Sequence, residues 1–499
     1  MEHYSDFKSK ITPHPTVFKR AFSAPWKTCR QVKPTKVEFI VGLITSEPET
    51  TWPLLQSFHL QNLDFQFLIL DNGCHPDELK SLLSKSQRFG LKVRVYGLEQ
   101  QKNDAKKGIF GFKNQERGGN VVGIAQARTM IQRYLGQEMK LRPNSIGWLL
   151  DDDMRIDDRA IEYLPWLEVL REHGVDVVLG SYEGSSPNPP INGLRVQLVD
   201  VVYNLQWLSG LRPEQLLPDR SDENSKSRSD FPDYYYDLSR RHTAHLEQPH
   251  WLEPVLPTET VREARLRLIH QASRVLDGAP ITRALRAKTP IDPLTEAHDS
   301  VNRGGTTFIL NPATLSQTPN ITVEVRGKEA RRSDMLWAII NRYYRNFVIK
   351  KAEFPILHEA RISTTKDFNF TKIQGEIVGS ALYAGLTNFL SECPSHNLDF
   401  TDSELNKIMM QCEEELRTRL IRLNKSFYRI QGLTKSLTHI VENNELQYLI
   451  TQLEFWFTEQ NWDDLVHNVH SIKLEEVRTF VNSMRTLSDD YALASGILD

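Results

Sequence analysis

Between residues 37 and 179, short apolar runs alternate with longer amphipathic segments. This alternation constrains the fold more than any other feature of the chain. The runs 37–44 (VEFIVGLI), 65–70 (FQFLIL), 91–96 (LKVRVY), 146–150 (IGWLL) and 175–179 (VDVVL) are of strand type. The segments 49–60, 76–89 and 121–135 read as helices. Another runs from a cap at Asp157 to His173, with Gly174 just past its end. Pro53 is tolerable in a first helical turn. Strands alternating with helices imply a parallel sheet, and apolar strands of this kind are covered by helices on both faces.

The rest of the chain departs from this rhythm. Residues 1–35 are polar, with prolines at 13, 15, 25 and 34, and read as an extended arm. A long interruption spans about 184–303. Its centre from Pro218 (PDRSDENSKSRSDFPD) is polar and expected to be mobile. Residues 260–287 look helical. Strand character returns at 305–310 and 321–325, and a helix is expected over 333–344. From about 375 the chain looks helical throughout. Leu405, Ile408, Met409, Cys412, Leu416 and Leu420 share one helical face, and Thr401 with Glu404 has capping-box spacing. The division expected is an arm (1–35), an α/β domain (36–365) with an insertion, and a C-terminal helical domain (366–499). The helical part offers packing, a homo-oligomer surface or an acceptor platform.

A net charge of −3 over 499 residues argues against a non-specific polyanion binder. Four cysteines without a C-x-x-C pair argue against a disulfide scaffold and a cysteine zinc cluster. There is no apolar leader at the N-terminus and no run of about 18 apolar residues. A cytoplasmic protein without a membrane span is expected.

The segment Trp148-Leu-Leu-Asp-Asp-Asp-Met154 places three carboxylates at the end of an apolar strand. Ligands of open α/β sheets bind at the carboxyl ends of strands. Adjacent carboxylates repel unless a cation or hydrogen bonds compensate. Mg²⁺ or Mn²⁺ suits carboxylate and phosphate oxygens together. In an extended segment alternate side chains share a face, so Asp151 and Asp153 would face the site and Asp152 would point elsewhere. The alternative is a solvated acidic turn. Asp71 likewise ends an apolar strand, where it could accept a base N–H or a ribose hydroxyl, or merely shape a turn.

Taken together these residues resemble the GT-A fold glycosyltransferases, particularly the family-2-like branch. The resemblance covers about 37–180 and, more weakly, 303–361. It implies an α/β, Rossmann-like, mostly parallel sheet with a helical insertion and a C-terminal all-helical region. Val41-Gly-Leu-Ile-Thr-Ser-Glu47 is similar to the opening that touches the nucleoside, which implicates Thr45 and Glu47. Asp71, with Asn72, sits where that fold binds the base. Residues 117–128, with Gly119 and Arg128, are similar to the segment that approaches the donor phosphates. Asp151 and Asp153 resemble the D-x-D motif that holds metal and diphosphate, with Asp152 on the donor side. Residues 304–310 resemble the acceptor-side strand. Asp334 stands at an acidic helix start that supplies the catalytic carboxylate in inverting members. His358 corresponds to a histidine that returns to the metal.

The activity so implied is sugar transfer from a UDP- or GDP-type nucleotide sugar to an acceptor hydroxyl, using Mn²⁺ or Mg²⁺. Metal and Arg128 or Lys113 would stabilise charge on the departing diphosphate. Asp334 would deprotonate the acceptor, and a retaining route is equally open if it does not reach it. Arg326, Lys328, Arg331, Arg332, Arg342 and Arg345 could read an anionic acceptor or form a solvated helix face. Tyr234, Tyr235, Tyr236 and Trp251 could stack on sugars or bases, or as easily anchor a loop, and 181–193 could form a lid. Two other functions stay open. One is a nucleotidyltransferase, disfavoured by the acidic loop 45–50. The other is a non-catalytic sugar-nucleotide-binding scaffold.

Overall fold

The computed structural model describes residues 37–61, 65–111, 121–156, 158–185, 191–230, 249–285, 292–321, 323–325, 328–330, 332–359, 370–393, 398–440 and 446–497. Its strands are β1 (Phe39–Thr45), β2 (Phe65–Asp71), β3 (Lys92–Tyr96), β4 (Ile146–Leu150), β5 (Met154–Arg155), β6 (Val177–Gly184), β7 (His298–Asp299), β8 (Thr306–Ile309), β9 (Val323–Val325), β10 (Lys328–Ala330) and β11 (Ile349–His358). One sheet has the order β3-β2-β1-β4-β8-β6-β11-β5, with β7 on β11, while β9 and β10 pair separately. Neighbours among β1 to β4 are parallel, as are β6 and β11. β8 runs antiparallel between β4 and β6. The expected class, a mostly parallel α/β sheet with a C-terminal helical region, is what the chain forms.

The strand order follows from the residues. β1 is apolar on both faces: Ile40 packs into one core, Val41 and Leu43 into the other. Such a strand belongs in the middle of a sheet. β3 instead alternates charged and apolar residues (KVRVY), and its exposed Lys92 and Arg94 guard an edge. One sheet face carries an aromatic cluster of Phe58, Phe65, Phe67 and Trp148. The buried indole N–H of Trp148 donates to Thr306 Oγ1 at 2.9 Å.

Several elements differ from their sequence expectation. The first helix begins at Pro48, so Pro53 lies inside it rather than in its first turn. The helix expected over 121–135 is Ile124–Leu141. Residues 157–173 form two helices, Asp158–Tyr163 and Trp166–Glu172. Pro165 lies at the break and can donate no backbone hydrogen bond. The helix expected over 260–287 ends at Ala272, and a 3₁₀ turn stops at Gly278 with φ 80°. Strand 321–325 shortens to β9 and leaves the main sheet. The helix at Ser333 is α-helical to Ile339 and continues as a π turn over Ile340–Tyr344.

The interruption after β6 is more ordered than its composition suggests. A largely apolar helix, Ile191–Ser209, forms its spine. It buries Asp200 against Arg283 at 2.8 Å. The polar stretch after Pro218 forms a helix, Ser221–Asp230. Asn224 anchors it by hydrogen bonds with Trp251 and Glu253. The expected lid over 181–193 is in part β6 and in part the Ile191–Ser209 helix, and 186–190 lies outside the described residues.

The C-terminal helices are Phe370–Glu392, Asp402–Ile440, Gln447–Trp456, Glu459–Val469 and Leu474–Leu493. The predicted stripe faces inward through Leu405, Ile408, Cys412 and Leu416. Thr401 and Glu404 form the reciprocal cap. A single apolar core runs from the sheet through the insertion into these helices. The last helix reaches back to the sheet: Arg133 donates to the Tyr491 carbonyl at 2.7 Å, and the Tyr491 hydroxyl donates to the Leu315 carbonyl at 2.9 Å. No helix among the described residues is long and apolar enough to cross a membrane.

Candidate functional site

The site is built at the carboxyl ends of β1, β2 and β4 and completed by β11. Register aligns Thr45 with Asp71 and Leu43 with Leu150, so residues 45, 71 and 151 share one rim. After β4 the chain does not stay extended. It turns, with the Met154 amide donating to the Asp151 carbonyl at 3.3 Å, and enters β5. The expected alternation of an extended segment is therefore replaced by a turn. Asp152 is turned inward and buried, while Asp151 and Asp153 face a common site.

β5 pairs antiparallel with β11, His358 opposite Met154, and the Glu359 amide donates to the Asp153 carbonyl. This pairing sets His358 Nε2 at 3.5 Å from Asp153 Oδ2. His358 Nδ1 is 2.8 Å from the Ser185 carbonyl. With the proton on Nδ1, Nε2 points at the carboxylate, the usual way in which a ligating imidazole is oriented. Burial alone would lower the His358 pKa, but Asp153, the Ser185 carbonyl and Asp151 outweigh it and the net shift is upward.

Arg128, from the Ile124–Leu141 helix, bridges two carboxylates. Its Nη2 is 3.5 Å from Asp151 Oδ1 and its Nη1 is 3.6 Å from Asp334 Oδ2. Burial works against the cation, yet Asp151 and Asp334 hold its pKa above the ordinary arginine value. Asp151 is raised by burial and by the charges of Asp153 and Asp334, against Arg128 and His358. Because 41% of its side-chain surface faces the cleft, water tempers the burial contribution and the neighbouring carboxylates are the firmer cause. Here three carboxylates face the guanidiniums of Arg128 and Arg303 and the His358 imidazole. Among the described residues, no three carboxylate, imidazole or thiol groups already stand together as a metal cage. Asp153 and His358 meet, while Asp151 leans towards Arg128.

The remaining predicted residues are placed as follows. Asp71 Oδ1 accepts from the Gly73 and Cys74 amides at 3.0 and 2.9 Å. Burial and Asp71 together push the Cys74 thiol up to about 12. Asn72 exchanges two hydrogen bonds with the Val122 backbone. Thr45 Oγ1 accepts from the Glu47 amide and the Thr51 hydroxyl, and Glu47 is exposed. Gly119 and Lys113 lie outside the described residues. Asp334 is the second residue of the helix Ser333–Ile339, two residues after the N-cap Arg332, whose φ of 94° is unusual for a side chain of that size.

Among the described residues, the basic cluster is divided between separate carboxylate partners. Arg342 pairs with Asp299, Arg345 with Asp489 and Arg332 with Glu376. Arg326 and Arg331 lie outside the described residues, as does the Lys328 side chain. Trp251 is covered by the Arg220 guanidinium at 3.5 Å, and Tyr234, Tyr235 and Tyr236 lie outside the described residues. Sequence reasoning missed Arg303 and Gln132, which line a cleft beside Asp151. The signal that could have found Arg303 is its position before Gly304-Gly305, on the segment already marked as acceptor-side. The cleft measures about 310 Å³, counting space open to solvent. Gly305 is its tightest point: a Cβ there would sit 2.7 Å from Asp151 Oδ2 and collide with Met154 Cε.

No family model and no curated protein matches this chain. Among solved structures, it is similar to glucosyl-3-phosphoglycerate synthase from Mycobacterium tuberculosis in complex with phosphoglyceric acid. The two are 14% identical over 77% of this chain and 86% of that one, with a TM-score of 0.30. The same enzyme with Mn²⁺, UDP and glucosyl-3-phosphoglycerate gives 13% identity, 77% and 87% coverage and a TM-score of 0.30. S. aureus TarS 1–349 gives 13% identity, 92% coverage of each chain and a TM-score of 0.32. Likenesses this distant assign no role to any residue.

Proposed function

We propose that the chain transfers a sugar from a nucleoside-diphosphate donor to an acceptor hydroxyl, assisted by a divalent metal. One observation carries the reading. Asp153 and His358, far apart in sequence, meet at 3.5 Å on the rim that also holds Asp151, with Arg128 between Asp151 and Asp334. The donor set fits a divalent ion. Two carboxylates and an imidazole whose Nδ1 is engaged by Ser185 suit Mn²⁺ better than Mg²⁺. Asp151, Asp153 and His358 would hold it. When bound, the metal would neutralise charge on the departing diphosphate.

The protein's own residues divide the other tasks. Arg128 is positioned to exchange a carboxylate for a phosphate oxygen, which it can grip in bidentate fashion. Thr45, Glu47, Asp71, Asn72, Gly119 and Asp152 are assigned to the donor side, Asp71 to the base or ribose. Asp334 is the base that takes the proton of the acceptor hydroxyl. A non-catalytic sugar-nucleotide scaffold is the second reading. It is favoured by the lean of Asp151 towards Arg128 rather than towards the Asp153–His358 pair. Incubation with a panel of nucleotide sugars and Mn²⁺ separates the two. Slow donor hydrolysis, abolished in Asp153→Ala, supports transfer. Binding without hydrolysis of any donor supports the scaffold.

A further inference from the structure

Arg303 is a buried cation whose close partners are all neutral. Only 5% of the residue is exposed. Its Nε donates to Thr307 Oγ1 at 3.0 Å, its Nη1 to Asn320 Oδ1 at 3.3 Å, and its guanidinium lies 4.5 Å from the centre of the Trp337 ring. No carboxylate among the described residues forms an ion pair with it. Arg128, in the same cleft, has two. Burial and the nearby Arg128 charge, against Asp334 and Asp151, push the Arg303 pKa down to about 9, so the group stays charged at neutral pH. Asp334 and Asp151 act on it only from a distance, and a buried charge with no counter-charge in direct contact is costly.

Gln132 is the second, independent observation. It is fully buried and lines the same cleft, and neither its amide nitrogen nor its amide oxygen has a hydrogen-bond partner. Buried side-chain amides are nearly always satisfied. Gly304 and Gly305 line the cleft with them, and a Cβ at Gly305 would press on Asp151 Oδ2.

We infer that this cleft is a subsite for a small oxyanion, a carboxylate or phosphate, carried by the acceptor and held by Arg303 with the Gln132 amide donating to it. Its place beside the transfer centre rests on the reading above; its ligand chemistry does not. The donor diphosphate offers the same chemistry, but under the proposed function it falls to Arg128 with Asp151 and Asp153.

The test titrates the full chain with inorganic phosphate, without metal or nucleotide, at ionic strength held constant with chloride. Melting temperature and calorimetric affinity are recorded. The wild type and Asp153→Ala should show a saturable response. Arg303→Gln should lose it, and Gln132→Met should weaken affinity by about tenfold. A wild type no different from the chloride control overturns the inference, and so does an Arg303→Gln protein that responds normally. If Arg303→Gln does not fold, Gln132→Met decides: unchanged affinity overturns the subsite. Saturating UDP with Mn²⁺ should leave the phosphate affinity unchanged, whereas competition would assign the cleft to the donor and overturn the acceptor assignment. A phosphate response that persists when no nucleotide binds would sink the transfer reading and leave the subsite standing.

Discussion

The His358 imidazole and the Asp153 carboxylate meet at 3.5 Å because β11 and β5 pair antiparallel with His358 opposite Met154. The strand pairing also joins the Glu359 amide to the Asp153 carbonyl, so backbone and side chain hold one geometry. Rotating the imidazole away from Asp153 would give up its Nδ1 contact with the Ser185 carbonyl.

If that pair grips a metal, Asp153→Ala should lose the metal-dependent part of nucleotide stabilisation. For ligand at a hundredfold excess over its dissociation constant, the stabilisation at stake is about 2.7 kcal/mol. Differential scanning with UDP or GDP, with and without Mn²⁺, measures it. An unchanged shift in the variant would refute the metal assignment.

The same pair predicts opposite pH slopes with and without metal. The His358 pKa is raised above 6.5 in the metal-free protein. The stabilisation from the imidazolium–Asp153 pair is therefore fully present below pH about 6.5 and is lost as pH rises through the raised value. Metal takes the neutral imidazole, so the Mn²⁺ response should grow over that interval. Melting curves between about pH 5.5 and 8 test this. A slope for His358→Gln equal to the wild type would remove the histidine from the metal site.

Gly305→Ala should disturb the site through a single methyl group. The added Cβ meets Asp151 Oδ2 at 2.7 Å and runs into Met154. Overpacking of this kind costs about 1–3 kcal/mol. The expected result is a lower melting temperature together with weaker metal-dependent nucleotide binding. Full retention of both would show that Asp151 moves freely and is not held by the β8 side of the cleft.

Asp334→Asn separates chemistry from binding. Nucleotide and metal affinity should stay near wild type, while transfer falls by about 10²–10⁴-fold. Once an acceptor is identified, comparison of kcat with donor KM reads the difference. A variant that transfers at the normal rate would disqualify Asp334 as the base.

Stability of the insertion should depend on the Asp200–Arg283 pair, which is nearly free of solvent at 2.8 Å. Asp200 also accepts from the Thr282 hydroxyl and the His250 amide. Asp200→Ala would strand the guanidinium and cost about 3–5 kcal/mol. Arg283→Met in the same chain should recover part of the loss, because no buried charge is then left alone. Chemical denaturation of the single and double variants measures the effect, and additivity would show that the two residues act separately.

The β1 to β4 strands, the inward stripe of the Asp402–Ile440 helix and the Thr401–Glu404 cap were legible in the sequence. Each depends on residues a few positions apart. Three carboxylates after an apolar strand also advertised themselves. Other features were not legible. β8 runs against its neighbours, Arg342 and Arg345 are consumed by Asp299 and Asp489, and Trp251 lies under Arg220. Each depends on a partner remote in the chain.

Local order came from the sequence because periodicity, capping and turn residues act over one or two turns of backbone. The joining of His358 to Asp153, and the burial of Arg303 and Gln132 beside Asp151, came only from the tertiary structure. Those contacts exist because the whole sheet chooses an order of strands, and that choice is a sum of packing terms spread over the entire chain.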